Sequence, residues 1–242
     1  MRVALVTGAA QGIGLVVARR LEAIGHRVVM LDRDAAILSA SADSMTAETI
    51  VGDVADPASV ADTMAQIRSR FGRLDIVINN AGICPAHDGQ ALPVETMDLD
   101  EWNRVIAVNL TGTFLVCRAA LPMMKAGGWG RIVNFSSMGG RMRSLLSGAH
   151  YAATKAGVIG FTRVLAGQVG REGITANCIA PGRIDTQQSA DFGNVDRFLE
   201  QLPLGRIGGT DEIAAGVEYL VSDAAGYVTG TVLDINGGHY MV

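Results

Sequence analysis

Short apolar runs rich in β-branched residues alternate with segments of helical periodicity along most of this chain. The runs are continuously apolar, which indicates strands that are buried on both faces. Buried strands separated by helices form a parallel sheet. The predicted strands are 2–7, 27–31, 49–51, 74–78, 130–135, 174–179 and 231–235. The sequence therefore predicts an α/β fold: a doubly wound parallel sheet with helices on both faces.

The same pattern gives the domain organisation. The predicted helices are 12–24, 57–71, 101–125, 151–171 and 211–220. With 242 residues, no internal repeat and no linker-like segment, we expect 1–242 to be a single domain. The polar, irregular stretch at about 185–206 interrupts the alternation, and we expect it to be a variable substrate loop or lid.

Composition excludes several classes of function. A net charge of -4 with no basic block argues against nucleic acid as a partner. We find no secretory pattern in the first residues and no apolar stretch long enough to span a bilayer, so we expect a cytoplasmic protein without a membrane partner. Cys84, Cys117 and Cys178 are too widely spaced for a disulfide framework or a metal site, and the simplest interpretation is that they are small core residues.

The first predicted strand runs into a glycine-rich turn, Thr7 to Gly14, that opens a helix. Glycines at such a turn let backbone N–H groups approach a pyrophosphate, and the helix N-terminus favours the negative charge. The spacing is G-x-x-x-G-x-G, and tight turns need glycine in any case. Its position between a buried strand and a helix nevertheless predicts a dinucleotide site in a Rossmann-like fold.

Asp32 closes the second predicted strand, where the adenosine ribose of a dinucleotide would lie. A carboxylate there accepts hydrogen bonds from both ribose hydroxyls and repels the extra phosphate of NADP, so we expect NAD as the cofactor. The structural alternative is that Asp32 caps the helix that follows it. Arg33 is next in the chain and would weaken the discrimination against NADP.

Three further positions carry chemistry. Tyr151 and Lys155 are four residues apart on a predicted helix, so the ammonium is expected to lower the pKa of the phenol, although this spacing also occurs in surface pairs. Ser136 and Ser137 end a predicted strand, where a hydroxyl can polarise a substrate oxygen or simply form a turn. Asn109 lies in an apolar helical stretch, where its amide would hold backbone carbonyls or a water.

Taken together, these residues resemble the short-chain dehydrogenase/reductase family. The resemblance rests on seven motifs in family order, which span nearly the whole chain. They are TGAAQGIG at 7–14, Asp53-Val54, NNAG at 79–82, Asn109, IVNFSS at 132–137, YAATK at 151–155 and PGRIDT at 181–186.

The resemblance implies residue roles. Tyr151 would be the catalytic acid/base, Ser137 would orient the substrate oxygen, Lys155 would lower the pKa of the tyrosine and hold the nicotinamide ribose, and Asn109 would support a water-mediated proton relay. No metal is required. The residues expected to bind the cofactor are Gly8, Gln11, Gly12, Ile13, Gly14, Asp32, Asp53, Val54, Asn80, Ala81, Gly82, Tyr151, Lys155, Pro181, Gly182, Ile184 and Thr186.

One spacing departs from the family pattern. Ser137 and Tyr151 are 14 positions apart (151 − 137), one more than the commonest family spacing, which leaves some doubt about which serine acts. The extra residue falls in the loop between Gly139 and His150.

The resemblance implies a hydride transfer between NAD(H) and a secondary alcohol or ketone, with a sugar, a polyol or an anionic hydroxy compound as the expected substrate. The alternatives are a 3-oxoacyl-carrier reductase that uses NADPH and a non-catalytic module that senses the cofactor. At least one of Arg141, Arg143 and Arg183 would bind an anionic substrate group, unless these arginines are solvated or face another subunit. His87 and Asp88 follow the NNAG motif. Family members are usually homotetramers, or sometimes dimers, so the resemblance implies a homo-oligomer with one interface at 105–125 and 151–171 and another at 236–242.

Overall fold

The computed structural model describes residues 1–87, 92–143, 147–186 and 199–241. Its centre is a parallel sheet of seven strands in the order β3-β2-β1-β4-β5-β6-β7. The strands are β1 Val3–Thr7, β2 Arg27–Asp32, β3 Glu48–Val51, β4 Ile76–Asn79, β5 Gly130–Phe135, β6 Ile174–Pro181 and β7 Val232–Ile235. The predicted doubly wound parallel sheet is confirmed.

Helices cover both faces of this sheet. They are α1 Gly12–Ala23, α2 Ala35–Ala42, α3 Pro57–Phe71, α4 Leu99–Ile106, α5 Gly112–Gly127, α6 Ala149–Val169 and α7 Thr210–Val221. The strand order reverses between β1 and β4, since the chain leaves β1 toward one edge of the sheet and β4 toward the other. A crevice opens at such a switch point, beyond the carboxyl ends of the strands, and ligands bind there.

Neighbouring residues of each central strand point to opposite faces and build two separate cores. Leu5, for example, packs in the core that contains residues of α3, α5 and α6, whereas Val6 packs in the core that contains residues of α1 and α7. Every residue of β1, β4, β5 and β6 is buried. This double burial explains why the strands read as continuous apolar runs.

The structure contains two local features that the sequence pattern did not predict. Helix α2 follows β2, and its N-cap is Asp34, whose carboxylate accepts hydrogen bonds from the N–H groups of Ala36 and Ile37. Asp32 is therefore free of the capping role considered for it and belongs to β2 instead. A single turn of π-helix, Ala107–Thr111, here called the π-turn, joins α4 to α5.

The helix formed by α4, the π-turn and α5, Leu99–Gly127, is long and apolar enough to meet the length and composition test for a membrane span. The sequence analysis had found no such stretch. Much of its apolar side, including Leu115, Val116, Ala120 and Met124, packs in the hydrophobic core. A core helix of a globular domain satisfies the same test, so this finding gives no indication of a membrane.

Candidate active site

The glycine turn after β1 has a backbone that only glycine adopts without strain. Gly8 and Gly12 have φ angles of 64° and 57°, in the left-handed region. A Cβ atom at Gly8 would lie 2.8 Å from Cα of Ala81, and one at Gly14 would lie 2.1 Å from the carbonyl oxygen of Gly8. Helix α1 begins here with no side-chain cap from Gln11. The turn therefore presents backbone N–H groups and a helix dipole to the crevice, which suits a pyrophosphate.

The NNAG segment after β4 is hydrogen-bonded to this turn. The side-chain amide of Asn80 donates to the carbonyl oxygens of Thr7 and Gly8, at 3.0 Å each. In return, the hydroxyl of Thr7 accepts hydrogen bonds from the backbone N–H groups of Asn80 and Ala81. No local sequence signal indicates this role of Thr7, whose hydroxyl fixes the two loops at the switch point against one another.

A cleft of about 260 Å³ follows the carboxyl edge of the sheet at this point. It brings together most of the residues predicted to bind a cofactor. Those that line it are Gly8, Gln11, Gly12, Ile13, Asp32, Asp53, Val54, Asn80, Ala81, Gly82 and Thr186, with Arg33 and Ile83 in addition.

Asp32 lies at one end of this cleft. Its carboxylate accepts hydrogen bonds from the N–H of Ala10, at 3.1 Å, and from the N–H of Asp34, at 3.2 Å. The negative charge is therefore held in place beside the glycine turn by backbone donors. Asp53 is fixed in a similar way, since its carboxylate accepts a hydrogen bond from the N–H of Ala55.

The other predicted cofactor residues surround the cleft without lining it. Gly14 lies behind the turn, and Pro181 and Gly182 stand at the end of β6, where a Cβ atom on Gly182 would lie 2.7 Å from Cα of Asn236. Ile184 is buried in the core and borders a second cavity. Its expected contact with the cofactor stays a prediction.

Asn109 occupies the middle of the π-turn and is buried. Its side-chain oxygen accepts a hydrogen bond from the N–H of Ile83 at 2.8 Å, and its amide donates to the carbonyl oxygen of Ile83 at 2.9 Å. The amide also donates to the hydroxyl of Thr154 at 3.3 Å. Asn109 therefore holds the loop after β4 against α6. The water-mediated relay expected for it stays a prediction.

Lys155 is buried on α6 and its ammonium donates to the carbonyl oxygen of Phe135 at 2.8 Å, at the end of β5. The ammonium lies 5.5 Å from the centre of the Tyr151 ring. A Cβ atom on Gly82 would lie 3.3 Å from this ammonium and 3.3 Å from the amide oxygen of Asn109. Glycine at this position thus leaves the approach to Lys155 open from the cleft.

The two serines after β5 have different surroundings. Ser136 is buried, and its hydroxyl donates to the carbonyl oxygen of Lys155 at 2.8 Å. The side chain of Ser137 acts to lower the pKa of Tyr151, so it lies near the phenol, and its hydroxyl accepts a hydrogen bond from the N–H of Gly139. The longer spacing had left open which serine acts, and the geometry favours Ser137.

Burial shifts the pKa values of both groups on α6. It lowers the pKa of Lys155 to about 8. It also raises the pKa of Tyr151 above its ordinary value, and a neighbouring charge at Cys84 adds to the shift, while the hydrogen bond with Ser137 opposes it. The expected lowering of the tyrosine pKa is wrong for the protein alone, because desolvation of the phenolate dominates. Tyr151 is therefore held in its protonated form.

The arginines considered for an anionic substrate differ in their contacts. Arg141 pairs with Asp234 at 3.0 Å and stacks on the ring of Tyr240. Arg183 borders the second cavity, with Asp234 and Tyr240 in the same wall. Arg143 is exposed. Asp88, and residues 187–198 of the predicted loop, lie outside the described residues.

The chain is similar to proteins of known activity. The model of a family described as "Enoyl-(Acyl carrier protein) reductase" matches residues 8–240. The 3-oxoacyl-[acyl-carrier-protein] reductase of Escherichia coli is 40% identical over 245 residues, which cover 100% of this chain and 98% of that protein. The acetoacetyl-CoA reductase of Shinella zoogloeoides is 37% identical, with 100% and 99% covered.

Solved structures give the same result. A crystal structure of a 3-oxoacyl-[acyl-carrier protein] reductase from Brucella melitensis matches with a TM-score of 0.93 at 37% identity and covers 100% of this chain and 92% of that one. A second structure of such a reductase from the same organism, with bound NAD, matches with a TM-score of 0.91 at 37% identity and the same coverage.

Proposed function

This chain belongs to the short-chain dehydrogenase/reductase family and is an oxidoreductase, and on that premise we propose that it transfers a hydride between NAD(H) and the carbonyl carbon of a 3-oxoacyl thioester. The observation that carries the proposal is the convergence of Ser137, Tyr151 and Lys155 at the carboxyl end of β5, beside the cleft. A bound nicotinamide would supply or accept the hydride.

The protein side chains then handle the proton and the substrate oxygen. Tyr151 is held protonated, so it can donate its proton to the carbonyl oxygen as that oxygen gains charge. Ser137 donates a hydrogen bond to the same oxygen and stabilises the charge that develops on it. Lys155 would hold the ribose of a bound nicotinamide nucleotide, and Asn109 keeps the wall of the site in place through Ile83. The reverse reaction is oxidation of a secondary alcohol.

The choice of NAD(H) rests on Asp32. Its carboxylate is fixed at the end of the cleft by two backbone N–H groups, so it cannot move away from an extra phosphate without breaking them. A negative charge at the ribose position favours a free 2′-hydroxyl. Arg33 also lines the cleft and is the feature that would oppose this preference.

The proposed substrate class comes from the relatives. Several are named for the reduction of 3-oxoacyl or acetoacetyl thioesters. These names favour the alternative of the sequence analysis over its sugar, polyol or anionic hydroxy compound. The three cysteines are free thiols, which suits the cytoplasmic location that we propose.

The test is a set of initial rates for the purified protein. Acetoacetyl-CoA and longer 3-oxoacyl thioesters are reduced with NADH and with NADPH, and a panel of secondary alcohols, polyols and hydroxy acids is oxidised with NAD and NADP. We expect thioester reduction with NADH to have the highest kcat/KM, and Tyr151→Phe to lose it while retaining cofactor binding. Faster oxidation of neutral alcohols would overturn the substrate class, and a preference for NADPH would overturn the role of Asp32. Turnover unaffected by Tyr151→Phe would overturn the mechanism.

A further inference from the structure

Helix α6, which carries Tyr151 and Lys155, begins without a side-chain cap. Its N-cap is Gly148, so no side chain is available at the position that normally binds the N–H of the third helical residue. That third residue is Tyr151. Its N–H instead donates to Nδ1 of the preceding residue, His150, at 2.6 Å. The imidazole thus satisfies an N–H group that the helix geometry leaves without a partner.

The opposite edge of the same imidazole is bound by a carboxylate. Nε2 of His150 lies 3.0 Å from Oε1 of Glu101, a residue of α4. Because Nδ1 accepts from the backbone, Nε2 must carry the proton and donate it to Glu101. The other carboxylate oxygen of Glu101 lies 2.8 Å from Nε2 of His87. Burial acts to raise the pKa of Glu101, but the hydrogen bonds of the two histidines oppose it and the pKa is lowered, so Glu101 stays ionised.

The imidazole has little room to move. His150 is 1% exposed. A Cβ atom on Gly148 would lie 2.7 Å from Cε1 of His150, and the same atom would lie 3.3 Å from Cε of Met97. Glycine at the N-cap therefore makes space for the ring at the cost of the usual capping side chain. The ring is a spacer between α4 and the first turn of α6.

Resting on the function proposed above, we propose that His150 and Glu101 are positioning residues for the reaction. The chain of hydrogen bonds runs from the carboxylate of Glu101 through the imidazole of His150 to the backbone N–H of Tyr151. It fixes the first turn of α6 and with it the phenol that meets Ser137. His87 binds the same carboxylate from the exposed side, away from Tyr151, and is the matched control.

The test compares variants at the two ends of this chain. His150→Phe keeps the ring volume but neither hydrogen bond, and we expect kcat to fall by about tenfold to a hundredfold, since a small misplacement of a reacting group has this effect. His150→Asn retains an acceptor near the position of Nδ1 and should recover part of the loss. KM for NADH should stay within about twofold, because the cleft residues do not touch the imidazole. His87→Ala should keep nearly the wild-type kcat.

Variants of Glu101 keep the test decisive if a substitution at His150 prevents folding. Glu101 lies on α4 and bonds His150 but not the backbone of Tyr151, yet Glu101→Leu should lower kcat in the same direction. Glu101→Gln retains an acceptor for Nε2 and should lower kcat less. Unchanged kcat in His150→Phe or Glu101→Leu, or an equal loss in His87→Ala, would overturn the proposal.

A measurement without turnover separates this proposal from the function on which it rests. The chain has four tyrosines, so 3-fluorotyrosine labelling gives four fluorine resonances, and Tyr151→Phe identifies one of them. We expect that resonance to shift in His150→Phe and to remain in place in His87→Ala. If no substrate of the panel reacts, the proposed function fails. A resonance that does not move in His150→Phe overturns the positioning role whatever the substrate.

Discussion

At the residue scale, Lys155 combines a functional charge with an unfavourable environment. The side chain is buried, and the carbonyl oxygen of Phe135 is a neutral partner for its ammonium. Burial therefore lowers the pKa of Lys155 from the model-peptide value of 10.5 to about 8. A cation in this position costs stability, which is consistent with the role in the reaction that we propose for Lys155.

This shift predicts a pH dependence of stability. The folded chain releases the Lys155 proton from about pH 8, whereas the unfolded chain holds it up to about pH 10.5. Between these values the unfolded state binds more protons, so the free energy of unfolding rises with pH. From pH 7 to pH 9.5 the contribution is about 2 kcal/mol, at ~1.36 kcal/mol per pH unit above the folded pKa. Urea unfolding of the wild type and of Lys155→Met at both pH values measures it.

The difference in the free energy of unfolding between the wild type and Lys155→Met isolates the contribution of Lys155. The thiols of Cys84 and Cys117 also titrate differently on unfolding, because burial raises their pKa values to about 12. Loss of the Lys155 charge raises the pKa of Cys84 further, so in both proteins the folded chain keeps these thiols protonated up to pH 9.5. The bond to Phe135 lost in Lys155→Met adds a constant that does not change with pH. A difference between the wild type and the variant that stays flat from pH 7 to pH 9.5 would contradict the lowered pKa.

At the scale of elements, the site depends on how the end of β5 meets α6. The turn after β5, Met138–Gly140, lies directly against the helix backbone. A Cβ atom on Gly140 would lie 2.6 Å from the carbonyl carbon of Lys155 and 2.8 Å from the N atom of Ala156. The hydroxyl of Ser136 bonds the same carbonyl group. This close approach brings Ser137 near the phenol of Tyr151.

Gly140→Ala is therefore expected to act on both stability and turnover. The added methyl group overlaps backbone atoms that cannot rotate away, so it should cost about 1–3 kcal/mol and lower kcat by separating Ser137 from Tyr151. Gly160→Ala, on the same helix, meets nothing within 4 Å and should stabilise the protein by roughly 0.5–1 kcal/mol. Thermal unfolding and kcat of both variants provide the comparison. Equal changes in stability and in kcat for the two variants would contradict the close packing of the turn after β5 against α6.

The elements also show what the sequence could predict. Strands β1, β5 and β6 are buried on both faces, so their apolar runs identify them from local sequence alone. Helix α2 was missed because it follows Asp32-Arg33-Asp34 at once and has Leu38 as its only buried residue, which leaves almost no periodic pattern. The π-turn at Asn109 was missed because its cause is tertiary: the amide bonds the backbone of Ile83, 26 positions away.

The candidate site also combines features with a local sequence signal and features with a tertiary cause. Tyr151 and Lys155 share a helix face because they are four residues apart. Gly8 and Gly12 belong to one local turn. Both pairs could therefore be predicted from the sequence. The contact between Glu101 and His150 joins residues 49 positions apart and has no sequence signal. The raised pKa of Tyr151 could not be predicted either, because it depends mainly on how deeply the fold buries the phenol, which only the structure gives.

At the scale of the whole molecule, the candidate site is built from segments that are far apart in the sequence. The cleft takes Gly8 from the first strand–helix turn, Asp32 from β2, Asn80 from the switch point and Thr186 from the segment after β6. Tyr151 and Lys155 come from α6. Because segments from both halves of the sheet contribute, we propose that the chain acts as one domain, and that no shorter piece would bind the cofactor.

Exposed apolar side chains cluster on the surface that α5 and α6 form. Phe114 on α5 is 41% exposed and meets Phe161 on α6 edge to face at 6.2 Å, while Val164, on the same helix, is 63% exposed. Exposed apolar residues that cluster on neighbouring helices mark protein interfaces. We propose that this surface, within the predicted 105–125 and 151–171 helices, joins copies of the chain, with the C-terminal segment 236–242 supplying a second interface in a tetramer.

A charge placed on this surface should break the assembly. We expect light scattering coupled to gel filtration to give a tetramer for the wild type and a smaller species for Val164→Glu, because a buried unpaired carboxylate costs several kcal/mol at an interface. Ile37→Glu is the matched control, because Ile37 is 41% exposed and lies on α2, outside the surface formed by α5 and α6. It should remain tetrameric. A monomeric wild type would contradict the proposed assembly, and a tetrameric Val164→Glu would move the interface away from α5 and α6.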